Sequence, residues 1–117
     1  MKIVLIWASA NIFKYWNVIL KDLTEKWHTV FPVNPKKSEI RWIKCYKDIS
    51  EIKEDFDVIN FVTPPEVTLA VLKEANDLWY RKVWCQPWST DENVLKYLKE
   101  NKFDYIADAC IMMENIG

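Results

Sequence analysis

Glycine is almost missing from this chain of 117 residues, which holds one, at its last position, beside seven tryptophans. Cysteine is sparse as well: Cys45, Cys85 and Cys110 show neither CxxC spacing nor an even count, which speaks against a disulfide framework and a zinc site. A reducing, cytoplasmic setting is the expectation. Neither sign of charge dominates, with 16 basic and 17 acidic residues and a net charge of −1, so the surface of a general nucleic-acid or membrane binder is not expected. No apolar run approaches membrane-spanning length, and Ile3–Ile6 is too short for a secretion signal. The one histidine, His28, has no nucleophile and acid placed beside it, so it is assigned no catalysis.

What is present suits one compact domain spanning residues 1–117, since 50% of the residues are hydrophobic. Short apolar runs alternate with amphipathic stretches. Strands are predicted near residues 2–7, 28–32, 57–62, 81–85 and 103–107, and helices over 14–26, 65–78 and 90–101, with a short helical turn near 50–54 capped by Ser50. Pro65 suits a first helical position, where its missing N–H costs nothing. The alternation predicts an α/β fold: a single Rossmann-like three-layer domain with a mainly parallel five-stranded sheet. Loops that follow strands then gather at the carboxyl edge of the sheet, where ligands bind.

Several tryptophans stand where such a fold wants glycine. Trp7 follows the apolar run Lys2-Ile3-Val4-Leu5-Ile6, at the position of the first glycine of a phosphate-binding loop. Trp27 and Trp79 each close an amphipathic stretch, where a left-handed residue is expected. Trp42 falls in a turn, Trp88 lies just ahead of a helix cap expected at Ser89, and Trp16 sits near the start of the first helix. Only Trp84, inside Lys82-Val83-Trp84-Cys85, suits a strand. The pattern fits a gene from a lineage that reads UGA as glycine, translated with a code that reads UGA as tryptophan. Deliberate substitution is the competing reading; random change would not choose turns, caps and a phosphate loop so consistently.

Five segments carry a family resemblance: Ile6-Trp7-Ala8-Ser9-Ala10-Asn11 with Lys14-Tyr15-Trp16-Asn17, Val30-Phe31-Pro32-Val33-Asn34-Pro35-Lys36, Asn60-Phe61-Val62-Thr63-Pro64-Pro65, Val83-Trp84-Cys85-Gln86-Pro87-Trp88-Ser89 and Ala107-Asp108-Ala109-Cys110-Ile111-Met112. With six tryptophans read as glycine, the chain resembles the small stand-alone CoA-binding domains, relatives of the N-terminal domain of the succinyl-CoA synthetase α subunit. The resemblance implies coenzyme A or an acyl-CoA as ligand. It also implies binding rather than turnover, because the phosphorylated histidine of the synthetase lies outside this domain.

The residues add their own argument. Trp7, Ala8, Ser9, Ala10 and Asn11, with Lys14 behind them, offer backbone amides and a helix start to a phosphate, although the segment reads equally as an ordinary βα turn capped by Ser9 or Asn11. An NAD site wants an acidic residue at the end of the second strand. Here the chain reads Asn34-Pro35-Lys36-Lys37, polar then basic, which suits a ligand phosphorylated on its ribose. By the resemblance, Lys36 or Lys37 contacts CoA. A solvated turn accounts for the pair equally, and NADP fits on charge, so an NADP-linked oxidoreductase fragment is the alternative. Thr63, Pro64 and Pro65 form a rigid edge that can pack on adenine or pantetheine, and also a helix start. Gln86 stands where the synthetase carries a Glu and can bond the ligand's amides, or simply occupy a turn. Cys110 can pair with the CoA thiol, but a small buried apolar residue is the stronger reading.

Overall fold

The computed structural model describes residues 1–6, 13–36, 39–40 and 43–111. Five strands form one sheet: β1 (Lys2–Ile6), β2 (Thr29–Val33), β5 (Val58–Phe61), β6 (Lys82–Cys85) and β7 (Asp104–Ile106). They lie in the order β2-β1-β5-β6-β7 and every pairing is parallel. A small antiparallel pair, β3 (Glu39–Ile40) with β4 (Ile43–Lys44), stands apart from it. Tyr46 then runs beside the end of β2: Asn34 N–H donates to the Tyr46 carbonyl at 2.8 Å, and Tyr46 N–H to that of Pro32 at 2.9 Å.

Strand alternation builds a core on each face, as a sheet covered on both sides requires. On one face Val4, Ile6, Ile59, Phe61, Val83 and Cys85 meet Leu72 and Ala75 of α2 (Pro65–Asp77) and Val94 and Leu98 of α3 (Glu92–Glu100). On the other, Ile3, Leu5, Val58 and Trp84 meet Ile19, Leu20 and Leu23 of α1 (Phe13–Glu25). The three-layer domain read from the sequence is therefore the fold.

Two local expectations are corrected. The turn expected near 50–54 is a 3-10 turn at Ile49–Glu51, capped by Asp48, whose carboxylate accepts from Ser50 N–H at 2.8 Å. A carboxylate one residue ahead of the turn reaches that donor, so Ser50 is the residue capped and not the cap. Likewise α3 is capped by Asp91, which accepts from Val94 N–H at 2.9 Å, while Ser89 is buried with its hydroxyl on the Gln86 carbonyl.

Helices α1, α2 and α3 end in the same closure. Trp27, Trp79 and Lys102 have φ of 67°, 67° and 57°. The residue after each one bonds back five positions, His28 to Leu23, Tyr80 to Ala75 and Phe103 to Leu98, which is the Schellman arrangement. The left-handed conformation anticipated for the two tryptophans is thus present, and α3 shows that this chain also places lysine there. Trp27 and Trp79 are 92% and 81% exposed. Trp84 is buried in its strand, donating from Nε1 to the Ala109 carbonyl at 2.7 Å. Trp88 lies in the 3-10 turn Pro87–Ser89, without positive φ, and its Nε1 donates to the Val62 carbonyl at 3.2 Å. Trp7 and Trp42 lie outside the described residues.

Candidate functional site

The chain leaves β1 for β2 on one side and places β5, β6 and β7 on the other, so strand order reverses between β1 and β5. Ligands of open parallel sheets bind above the carboxyl ends of the strands at that reversal. In register, Ile6 pairs with Val33 and Phe61, and Phe61 with Cys85. Asn34, Val62 and Gln86 therefore occupy the next row across the sheet. Lys14 falls in the first turn of α1, at the same edge. Trp7, Ala8, Ser9, Ala10, Asn11 and Lys37 lie outside the described residues.

At the end of β2, Asn34 is buried to 1% exposure with Oδ1 accepting from Lys36 N–H at 2.9 Å. This Asx turn follows from a short amide side chain two residues ahead of a free donor. It leaves Lys36 exposed, while the Asn34 Nδ2 donor is buried without a partner among the described residues. Buried donors are rarely left so.

Thr63, Pro64 and Pro65 start α2 at that edge. Thr63 is buried with its hydroxyl 2.7 Å from that of Thr68, and Pro64 and Pro65 are half-buried. Two prolines and Glu66 in the first turn make this a poor seat for an anion, and α3 opens on Asp91 and Glu92. The first turn of α1 carries no acidic residue. Of the three helix starts, that of α1 is thus the least negative.

Gln86 is turned inward. Its Oε1 accepts from Ile111 N–H at 2.9 Å and Asn60 Nδ2 at 3.3 Å, and its Nε2 donates to Cys110 Sγ at 3.0 Å. In this structure its side chain binds the segment after β7. Among the thiols, burial pushes Cys85 up to about 12, whereas Cys110 is half-buried. His28 sits at the opposite, amino edge, where burial, the N-terminal ammonium and Lys26 lower its pKa. No group of His, Cys, Asp and Glu able to hold a metal occurs among the described residues.

Beside Asn34, between the ends of β1 and β2 and helix α2, lies a cavity of about 310 Å³. Ile6, Val33 and Pro35 from the strand ends and Val67 and Val71 from α2 line it, with Asp48 and Glu74 among the remaining lining residues. Sequence reasoning missed it. The signal was there: α2 carries a second stripe, Val67-Val71-Glu74, next to its core stripe Thr68-Leu72-Ala75, and both follow helical spacing. Burial holds the Glu74 carboxyl above its ordinary pKa, Asp48 adds to the shift, and a hydrogen bond from the Ile49 amide opposes it.

Residues 1–116 match the model of the CoA binding domain family. The ADP-forming acetate–CoA ligase of Methanocaldococcus jannaschii is 36% identical over 72 residues, which are 62% of this chain and 10% of that protein. A second such ligase, from Archaeoglobus fulgidus, is 33% identical over 72 residues. The chain thus spans about 10% of the length of the curated relatives it matches. Among solved structures, a conserved hypothetical protein from Pyrococcus furiosus superposes with a TM-score of 0.90 at 45% identity, over 97% of this chain and 98% of that one. A hypothetical protein from Pyrococcus horikoshii OT3 gives 0.82 at 28% identity, over 94% and 78%.

Proposed function

The chain belongs to the CoA-binding domain family, and from that premise we propose that it binds coenzyme A or an acyl-CoA at the carboxyl edge of its sheet, without turnover of its own, as a regulatory or carrier module in acyl-CoA metabolism. The observation that carries the reading is the end of β2. There the Asn34 amide donor is buried with no partner among the described residues, and the exposed Lys36 follows in the Asx turn, with Lys37 next in sequence. A lysine rather than a carboxylate at that place suits the 3′-phosphate of CoA. The pyrophosphate is assigned to residues 7–11 and the first turn of α1 with Lys14, and the pantetheine arm to the Thr63-Pro64-Pro65 edge near Gln86. Three cysteines, odd in number and without CxxC spacing, suit a reducing, cytoplasmic location.

Calorimetry with CoA, dephospho-CoA and NADP tests the reading. Because Trp7 directly follows the last residue of β1, its indole is expected to obstruct the pyrophosphate path, and Trp7→Gly to restore tight CoA binding. In that background CoA should bind more tightly than dephospho-CoA by about 1.5–3 kcal/mol, and replacing Lys36 and Lys37 with alanine should erase the difference. Equal binding of both ligands would remove the lysines from the site. Tighter binding of NADP would favour an oxidoreductase fragment.

We also propose that the protein made in its own host carries glycine at Trp7, Trp16, Trp27, Trp42, Trp79 and Trp88, through UGA read as glycine. The positive φ at Trp27 and Trp79, both on open surface, supports this for two of the six. UGG codons at all six positions, or a native mass that fits six tryptophans, would end the idea.

A further inference from the structure

We infer that the open part of the sheet face over β6 and β7, on the side that carries α1, docks a second copy of this chain in a weak twofold dimer. A parallel sheet is ordinarily buried on both faces. Here α2 and α3 cover one face, whereas on the other α1 packs over β1 and β5 through Ile19, Leu20 and Leu23. Burial falls away across the sheet: every residue of β5 is buried, Lys82 at the start of β6 is exposed, and no residue of β7 is buried. Residues paired in register point to the same face, so Lys82, Asp104 and Ile106 share the face of Trp84. Ala109 lies against Trp84, but Ile106 stays 40% and Met1 42% exposed. Together with Val58, Lys82 and Asp104 they line a groove of about 180 Å³. That is below the roughly 300–1,000 Å³ of small-molecule sites, so an aliphatic side chain suits it better than a cofactor.

Charge decides what sits there. Lys82 and Asp104 are opposite in register, opposite in sign and both exposed, and neither joins an ion pair among the described residues. A twofold axis parallel to the strands, between β6 and β7, turns the face over and exchanges its two sides. It therefore sets Lys82 of each copy against Asp104 of the other, and Ile106 of each over β6 of the other. In such an isologous contact one pattern of charge satisfies itself twice. A net charge of −1 leaves little general repulsion between copies. The groove's seven lining residues fall short of the roughly 20–30 a side of a standard interface, so the association is weak and reversible. Lys82 and Asp104 begin their strands, which leaves the carboxyl edge open in the dimer.

Sedimentation equilibrium of the full chain tests this. Between about 1 µM and 1 mM protein the mass should rise from 14.0 kDa towards twice that value. Lys82→Glu and Asp104→Lys each turn two attractive pairs into two repulsive ones and should weaken the dimer by about 10-fold or more. An equimolar mixture of these two variants should recover it, because the new glutamate of one then faces the new lysine of the other while the remaining Asp104 and Lys82 face each other. Ile106→Asp should leave a monomer that mixing does not rescue. Circular dichroism checks that all three variants fold. A chain that stays monomeric throughout the range, or a mixture that fails to recover the dimer, overturns the inference. So does a dimer indifferent to both charge variants and to Ile106→Asp, which would place the association elsewhere, on the exposed Trp27 and Trp79 for example.

Discussion

Replacing Trp27 with glycine is expected to make the protein more stable although it removes a large apolar side chain. Trp27 holds φ at 67°, and a residue with a Cβ in the left-handed region carries roughly 1–2 kcal/mol of strain. Two terms oppose the relief. Glycine gives the unfolded chain more freedom, at a cost of about 0.5–1 kcal/mol. The indole is 92% exposed, so its small buried remainder contributes only a few tenths of a kcal/mol at about 25 cal/mol per Å². The balance is a gain of about 0.5 kcal/mol, which raises the urea midpoint by roughly 0.2–0.5 M for a slope of about 1–3 kcal/mol/M. Trp79 has the same φ but also takes the Arg81 guanidinium over its ring at 5.2 Å, a contact worth about 0.5–1 kcal/mol at exposed sites. Trp79→Gly should therefore be close to neutral. Trp27→Ala is the control, since it deletes the indole and keeps the Cβ. Urea unfolding followed by circular dichroism compares the three variants. A Trp27→Ala as stable as Trp27→Gly, or a glycine variant less stable than the starting protein, would refute the strain argument.

Other outcomes follow from the site. Gln86→Leu should cost roughly 1–3 kcal/mol in urea unfolding, because the buried Ile111 amide loses its acceptor and Asn60 one of two. Glu74→Gln should stabilise the protein at pH 7: the native carboxyl titrates above its unfolded value, so stability falls as pH rises through that window, and the gain should vanish below the unfolded pKa. Thiol alkylation at pH 8 should label Cys110 before Cys85, whose thiolate fraction there is on the order of one in ten thousand for a thiol at about 12; mass mapping that finds Cys85 labelled first would contradict its burial.

The sheet was legible because its strands are short apolar runs bounded by polar ones, and all five appear in β1, β2, β5, β6 and β7. The left-handed ends of α1 and α2 were legible too, because an amphipathic stretch that stops just before a strand must close within two residues. Caps were misassigned where two candidates compete locally: Asp48 with Ser50, and Asp91 with Ser89, are separated only by which oxygen reaches a free N–H. Trp88 carries no such sign, since a turn after Pro87 can be tight without positive φ. At the site, Asn34 and Lys36 could be picked out from their order after a strand. The direction of Gln86 could not, because its partners Asn60, Cys110 and Ile111 come together only in the folded chain. The cavity escaped because Asp48 and Glu74 lie 26 residues apart, a proximity that only packing of α2 against the 3-10 turn creates.

The hydrogen bonds from Trp84 Nε1 to Ala109 and from Ile111 N–H to Gln86 fasten the stretch after the last strand to the middle of the sheet. Irregular segments past an edge strand ordinarily open locally and exchange their amide protons fast. Here the Ile111 amide cannot open without breaking contact with β6, so its deuterium uptake should be as slow as that of the central strands, and the domain should unfold as one cooperative unit rather than peel from its carboxyl side.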